Sequence, residues 1–282
     1  MVDRHGITGT CERKGWRVVT STQLTKDTGY TEWTDTELMT ISAARALEFV
    51  TSCFVGVGIP STAAITAQRI LNPDLILIYE SGTIGSRPDK IPLSIGDGAL
   101  CDSAISTVSV PEMFNYWLQP GRIDTGLLGA AQVDRFGNLN STVIGDEYRL
   151  PKVRLPGAGG APEIASSCEE VTVIIKHSRK AFPEKVDFIT SVGHGRDMSV
   201  RGALGFAGQG PVRVITDLGV LEMSEEHGEL ILAAIHPGVT VETIAQATGW
   251  DLIISPNLVV TPEPTQIELD TLRQLIMYSS TR

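Results

Sequence analysis

No run of apolar residues in this sequence approaches the roughly 18 that a membrane-spanning helix needs. Its first fifteen residues, MVDRHGITGTCERKG, also lack the apolar core of a secretory signal. Neither an anchor nor a membrane partner is expected. Cysteine is scarce: Cys11, Cys53, Cys101 and Cys168 stand far apart without a CxxC pair, so neither a zinc site nor a disulfide framework is signalled, and a reducing cytoplasm fits. Positive charge is in deficit, 23 Lys and Arg against 33 Asp and Glu, for a formal net charge of -10. Nucleic acid is therefore not expected as the main partner, because a phosphate backbone calls for a positive field. The five histidines show no HExxH or other ligand spacing and no serine sits in GxSxG, which leaves no metal site and no α/β-hydrolase triad to expect. Both glycine clusters fall short of a dinucleotide fingerprint. Gly56-Val57-Gly58-Ile59-Pro60-Ser61 has serine where the third glycine belongs, Gly157-Ala158-Gly159-Gly160-Ala161-Pro162 has proline there, and no Gly-Lys-Ser/Thr follows either.

What is present is an ordinary globular composition, 42% apolar and 20% charged over 282 residues, with 28 glycines. Residues 1–33 are polar and show no sustained periodicity, so an irregular N-terminal arm is expected there. Thr34, with Glu37 three residues on, marks a helix start, and Leu38, Met39, Ile41, Ala44, Leu47 and Phe49 give that helix an apolar side. SCFVGVG then reads as a strand, IPSTAAITAQRIL as a helix opened by Pro60, and LILIYE as a second strand. Strand, helix, strand implies a right-handed crossover and a parallel sheet. Further strands are expected at Thr107 to Val110, Thr125 to Ala130, Val171 to Lys176, Phe188 to Ser191, Val212 to Thr216 and Leu230 to Ile235. Helices are expected around Pro111 to Leu118, Thr240 to Thr248 and Thr265 to Ser279. The expectation is one α/β domain over residues 34–282, an open sheet of mixed but largely parallel direction flanked by helices, with no internal repeat.

The stretch LILIYESGTIG places Glu80 where a buried strand gives way to Ser81-Gly82. Ligands bind beyond the carboxyl ends of parallel strands, so a carboxylate there can face a substrate. It can equally accept hydrogen bonds from the amides of the following turn. The glycine clusters invite the same two readings, tight turns or bare backbone offered to a ligand. Arg149, Lys152 and Arg154 precede the second cluster and would suit an anionic ligand with several phosphates, or stand as solvated surface cations. In AQVDRFGNLNST, the residues Gln132, Asp134, Asn138 and Asn140 are expected to cap backbone groups.

In order, ESGTIG, IPLSIGDGAL, GAAQVDRFGNLNSTVIG, RLPGAGGAPEIASS, VDFITSVGHG, VITDLGVL and HPGVT closely resemble the β subunit of the family I coenzyme A transferases, from about Thr34 to the C-terminal helix. The resemblance implies the open α/β sheet shared with sugar-phosphate isomerases. It implies that Glu80 is the nucleophile, since a carboxylate is ionised at neutral pH without a partner base. It implies that an amide of the loop Gly157, Ala158, Gly159, Gly160 and Ala161, with Gly159 the first choice, stabilises the oxyanion. Coenzyme A would enter as a thioester substrate, with no permanently bound cofactor, and a small dicarboxylic or oxo-acid would accept it. An α subunit would complete the site. The rival expectations are a CoA-thioester or β-diketone hydrolase on the same scaffold, and a noncatalytic ligand-binding module.

Overall fold

Thr34 opens helix α1 (Asp35–Arg45) as the sequence predicts. Its hydroxyl accepts from the Glu37 amide at 3.2 Å while the Glu37 carboxylate accepts from the Thr34 amide at 2.8 Å. The computed structural model describes residues 32–196 and 198–280, so Cys11 and nearly all of the expected arm lie outside the described residues. Leu38, Met39, Ile41, Ala44 and Leu47 are buried, but Phe49 is 71% exposed. The helix ends at Arg45, and beyond it the 3.6-residue repeat no longer decides which side chains face the core.

Strand β1 (Ser52–Val55), helix α2 (Ile59–Ile70) and strand β2 (Ile76–Ile78) form the crossover unit, with Ser52 paired to Ile76 in parallel register. The chain turns back through β3 (Thr83–Ile84), a short α3 (Ala99–Asp102) and β4 (Ser106–Thr107). The strand expected over Thr107 to Val110 is thus cut short, because Ser109 and Glu112 form a capping box that opens α4 (Val110–Glu112). A π-helical turn, Met113–Leu118, continues α4 and leads to β5 (Thr125–Gly129). Two small hairpins follow, β6 (Gln132–Val133) with β7 (Leu139–Asn140) and β8 (Val143–Ile144) with β9 (Val153–Arg154). Then come α5 (Ala161–Ser167), β10 (Glu170–Ile174), α6 (Val200–Ala203), β11 (Pro211–Ile215), β12 (Gly219–Ser224), β13 (Glu229–Ile235), α7 (Val241–Ala247), β14 (Ile254–Val260) and α8 (Gln266–Ser280).

Ten strands make one sheet in the order β14-β13-β12-β11-β10-β5-β1-β2-β3-β4. Its centre, β11-β10-β5-β1-β2, is parallel throughout, and both flanks turn antiparallel before β14 rejoins parallel to β13. Central strands covered on both faces read as continuous apolar runs, as FV of β1 and VTVI of β10 do. Helix α2 is buried from Pro60 to Gln68 because it packs against β1 and β5 and also against α1 and α8. Arg45 fastens that helical layer, donating to both Glu268 oxygens at 2.7 Å and to the carbonyls of Pro262 and Glu263.

Phe188 to Ser191 forms no strand; only Ser191 bridges, to Leu139. The Thr190 and Ser191 amides both donate to the Leu139 carbonyl, so the pairing stops at that one bridge, while the Asp187 carboxylate accepts from the Gly145 amide and Thr190 Oγ1 from the Ser141 amide. Other elements carry little signal in the residues. Strand β14 contains Pro256, which argues against a strand but is tolerated at a sheet edge. Strand β12 is the hairpin partner of β13, and its apolar run is broken in the sequence by Glu222, which pairs with Ile231. Helix α5 begins at the residue before Pro162, whose missing amide costs nothing in a first turn.

Candidate active site

Strand β2 ends at Ile78, and the chain reverses over Tyr79–Gly82 with the Gly82 amide donating to the Tyr79 carbonyl at 2.9 Å and the Tyr79 amide to the Thr83 carbonyl at 3.0 Å. Gly82 has φ +100°, and a β-carbon there would run into the Val108 carbonyl. Glu80 therefore stands on a tight turn just past the carboxyl end of a parallel strand. The bonds of this turn run backbone to backbone. Among the described residues the Glu80 carboxylate accepts no hydrogen bond, so its expected alternative role as a turn acceptor is not realised.

Facing that carboxylate is the second glycine cluster. A β-carbon on Gly159 would lie 3.7 and 3.9 Å from the Glu80 carboxylate oxygens; one on Gly160 would lie 3.2 Å from Glu80 Cδ and only 2.8 Å from the Phe114 ring. Gly160 is packed between two side chains and leaves no room for a third. Gly157 and Gly159 have φ of +108° and +49°. Within the loop the Gly157 amide donates to the Ser141 carbonyl and the Ala161 amide to the Ala158 carbonyl, whereas the Gly159 and Gly160 amides meet no backbone acceptor among the described residues. Behind the loop, α5 is held at its far end by Arg201. This buried side chain donates to the carbonyls of Ala165 at 2.7 Å, Gly208 at 2.9 and 3.1 Å, and Val192 at 3.0 Å, and desolvation lowers its pKa to about 10.

Arg149, Lys152 and Arg154 lie exposed on the β8–β9 hairpin, whose second strand runs directly into the glycine loop through Leu155 and Gly157. Arg154 donates to the Tyr148 carbonyl at 2.9 Å and stacks over the Tyr148 ring at 4.9 Å. The structure thus sets Glu80 close to Gly159 and Gly160 and places the cations on the adjoining arm. The first glycine cluster serves a turn: a β-carbon on Gly56 would meet the Leu127 carbonyl at 2.8 Å, and Gly58, at φ +85°, precedes α2. Gln132, Asp134, Asn138 and Asn140 cap backbone as expected. Gln132 accepts from the Asp187 amide, Asp134 from Phe136 and Asn138, Asn138 from Gly193, and Asn140 from Thr142 and Val143.

Sequence reasoning missed three groups here. Phe114 reads in the sequence only as part of a helix, and nothing singles out Ser81 or Thr83. The Ser81 and Thr83 hydroxyls are buried with no hydrogen-bond partner among the described residues. The signal for Phe114 is the spacing of Met113 and Leu118, both fully buried yet five residues apart, one more than an α-helical face allows.

A second polar constellation centres on Thr216. Its hydroxyl donates to the Gly219 carbonyl, accepts from the amides of Leu218 and Gly219, and pairs with His177 Nδ1. His177 Nε2 meets Thr248 Oγ1 at 3.0 Å and its ring stacks on Phe182. His236 bonds the Thr216 carbonyl and Thr261 Oγ1. Burial lowers the pKa of His177 to about 4 and pushes His236 down as well. Among the described residues no group of three His, Cys, Asp or Glu side chains could hold a metal ion.

The Coenzyme A transferase family model matches residues 37–247. The chain is 54% identical over 239 residues to the B-subunit of 3-oxoadipate CoA-transferase from Pseudomonas knackmussii, covering 85% of this chain and 92% of that one. It is 34% identical over 246 residues to the B-subunit of glutaconate CoA-transferase from Acidaminococcus fermentans, with the same coverage of each. The crystal structure of glutaconate coenzyme A-transferase from Acidaminococcus fermentans matches with a TM-score of 0.81 at 31% identity, over 88% of this chain and 96% of that one.

Proposed function

On the premise that this chain belongs to the coenzyme A transferase family, we propose that it is the β subunit of a two-subunit CoA-transferase that moves CoA from succinyl-CoA to 3-oxoadipate. The acid and the subunit role draw on the 54% identical relative, which is named for that acid and as a B-subunit. The observation that carries the mechanism is the Glu80 carboxylate set against Gly159 and Gly160, accepting no hydrogen bond among the described residues.

A Glu80 oxygen attacks the thioester carbonyl, the C–S bond breaks, and CoA thiolate leaves an acyl-glutamyl anhydride. The thiolate then attacks Glu80 Cδ and expels succinate, which leaves a glutamyl-CoA thioester. The acceptor carboxylate reverses both steps, so acyl-CoA leaves and the Glu80 carboxylate is restored. Each attack on Cδ builds an oxyanion. The Gly159 amide donates to it, and a preorganised donor of this kind is worth roughly 2.7–4 kcal/mol. Gly157, Ala158, Gly160 and Ala161 shape that loop for the approach of the thioester. Arg149 and Lys152, with Arg154 held against Tyr148, meet the phosphates of CoA. CoA is substrate here, and no resident cofactor takes part. The α subunit completes the acid-binding side. The enzyme works in the cytoplasm; no helix among the described residues is long and apolar enough to cross a membrane.

The test is reconstitution with the α subunit. Transfer from succinyl-CoA to 3-oxoadipate is expected from the complex and not from this chain alone. Succinyl-CoA without acceptor should leave a CoA adduct on the peptide that contains Glu80. An adduct on another residue, or hydrolysis without transfer, would overturn the reading.

A further inference from the structure

We propose that Phe114 walls the activated Glu80 carbonyl off from water, and that the π-helical turn Met113–Leu118 exists to deliver its ring there. The inference rests on the reading of Glu80 as nucleophile. The turn is bonded with π spacing: the Gln119 amide donates to the Phe114 carbonyl at 2.9 Å and the Arg122 amide to the Trp117 carbonyl at 3.4 Å, each five residues back. Met113 and Leu118 keep the core face, both fully buried, while Phe114 is carried to the flank of that face, toward the glycine loop. There its ring is fixed edge-on to Phe54 of β1, with centroids 6.1 Å apart at 63°.

The Phe114 ring tip and Glu80 Cδ lie 2.8 and 3.2 Å from the one point where a Gly160 β-carbon would sit. Ring and carboxyl carbon are therefore within about 6 Å of each other across a glycine. A phenyl ring offers no hydrogen bond to a carboxylate, so it does not hold Glu80 by polar contact. What it supplies is apolar cover on one side of Cδ. Cover matters only once Glu80 is acylated. Water that reaches the glutamyl-CoA thioester forms a new C–O bond to Cδ, the C–S bond breaks, CoA leaves as thiolate, and both protons of the water pass to solvent. The carboxylate is regenerated with no acid converted, and the energy of the donor thioester is lost.

The experiment uses the complex reconstituted with the α subunit, in wild-type, Phe114→Leu and Phe114→Ala forms. Each is loaded with succinyl-CoA, freed of succinate, and held without acceptor while the CoA adduct is followed by intact mass and free thiol by titration. The adduct should persist in wild type, decay about tenfold faster in Phe114→Ala, and fall between in Phe114→Leu, which keeps part of the apolar cover. The ratio of hydrolysis to transfer should rise in the same order. If the alanine form does not fold, the leucine form carries the test, with about threefold faster decay expected. Adducts on Glu80 with equal lifetimes in wild type and variants would overturn this inference alone. Absence of any adduct on Glu80 in wild type would overturn it together with the nucleophile reading.

Discussion

Two buried polar regions of this chain are built on opposite terms. Around Thr216 the polar atoms have close polar neighbours: the hydroxyl donates to the Gly219 carbonyl and accepts from two amides, and each nitrogen of both neighbouring imidazoles faces an oxygen. At residues 80–83 the carboxylate of Glu80 and the hydroxyls of Ser81 and Thr83 have no hydrogen-bond partner among the described residues, although the backbone beneath them is tied through Tyr79, Gly82 and Thr83. A lone unpartnered group is no marker of a site, since Ser42, Ser191 and the Trp250 indole share that condition elsewhere. The Glu80 carboxylate is a different matter, because it is half-buried rather than sealed and stands beside glycine amides that also lack backbone acceptors. Matched polarity fixes a fold; unmatched polarity held on a rigid turn is preorganised for something that arrives from outside.

The sharpest way to break this contrast is Glu80→Gln, which keeps size and acceptor capacity but cannot form the anhydride. Transfer by the complex should fall on the order of 10³-fold or more, while stability to urea stays within about 0.5 kcal/mol. Near wild-type turnover would remove Glu80 from the chemistry. Next is Gly160→Ala, whose β-carbon would press on both the Phe114 ring and the Glu80 carboxyl. A displacement of about 1 Å costs roughly 10²-fold in rate, and kcat should carry the loss. An unchanged kcat would mean that the three groups are not in register with the reaction.

On the Thr216 side the handle is acid. Burial depresses the His177 pKa from its ordinary 6.5 to about 4, so the folded state binds its proton less readily than the unfolded chain does. The stability this neutral ring supports is complete above pH 6.5 and is lost as pH falls toward 4, by roughly 3 kcal/mol at the limit. Urea unfolding at about pH 7 and about pH 4.5 should show the decline, and His177→Gln should flatten it. Equal slopes for the two proteins would assign the acid sensitivity to other groups. The smallest effect is the most direct comparison, one substitution made on each side. Thr216→Val strips three local backbone bonds and should cost about 1–3 kcal/mol, whereas Thr83→Val removes a hydroxyl that bonds nothing among the described residues and should be neutral or stabilising by up to about 1 kcal/mol. Equal penalties would mean that Thr83 is matched after all.

Much of this was legible in the residues, though not the part that makes a site. The capping box at Thr34, the crossover from β1 through α2 to β2, and the placement of Glu80 at a strand end all follow from local chemistry that acts within a few residues. The meeting of Glu80 with Gly159 and Gly160 does not, because it joins segments some 80 positions apart and depends on where the sheet sets β2 and α5. Phe49 was misread where periodicity was carried past the helix that imposes it, and Phe188 to Ser191 because a stretch of strand-like composition pairs at a single bridge, Ser191 with Leu139. Phe114 escaped because a π-turn and an α-turn share one composition and differ only in count.

That count has a genetic meaning. A π-turn amounts to an α-helix with one residue inserted, so the geometry that aims Phe114 at Gly160 is stored as length rather than as any single side chain. Loss of one codon between Met113 and Leu118 would let the helix close with ordinary α spacing, so that the two buried side chains stand four residues apart and those between them shift on its surface. Every aromatic residue could survive such a deletion, and the ring would still face elsewhere.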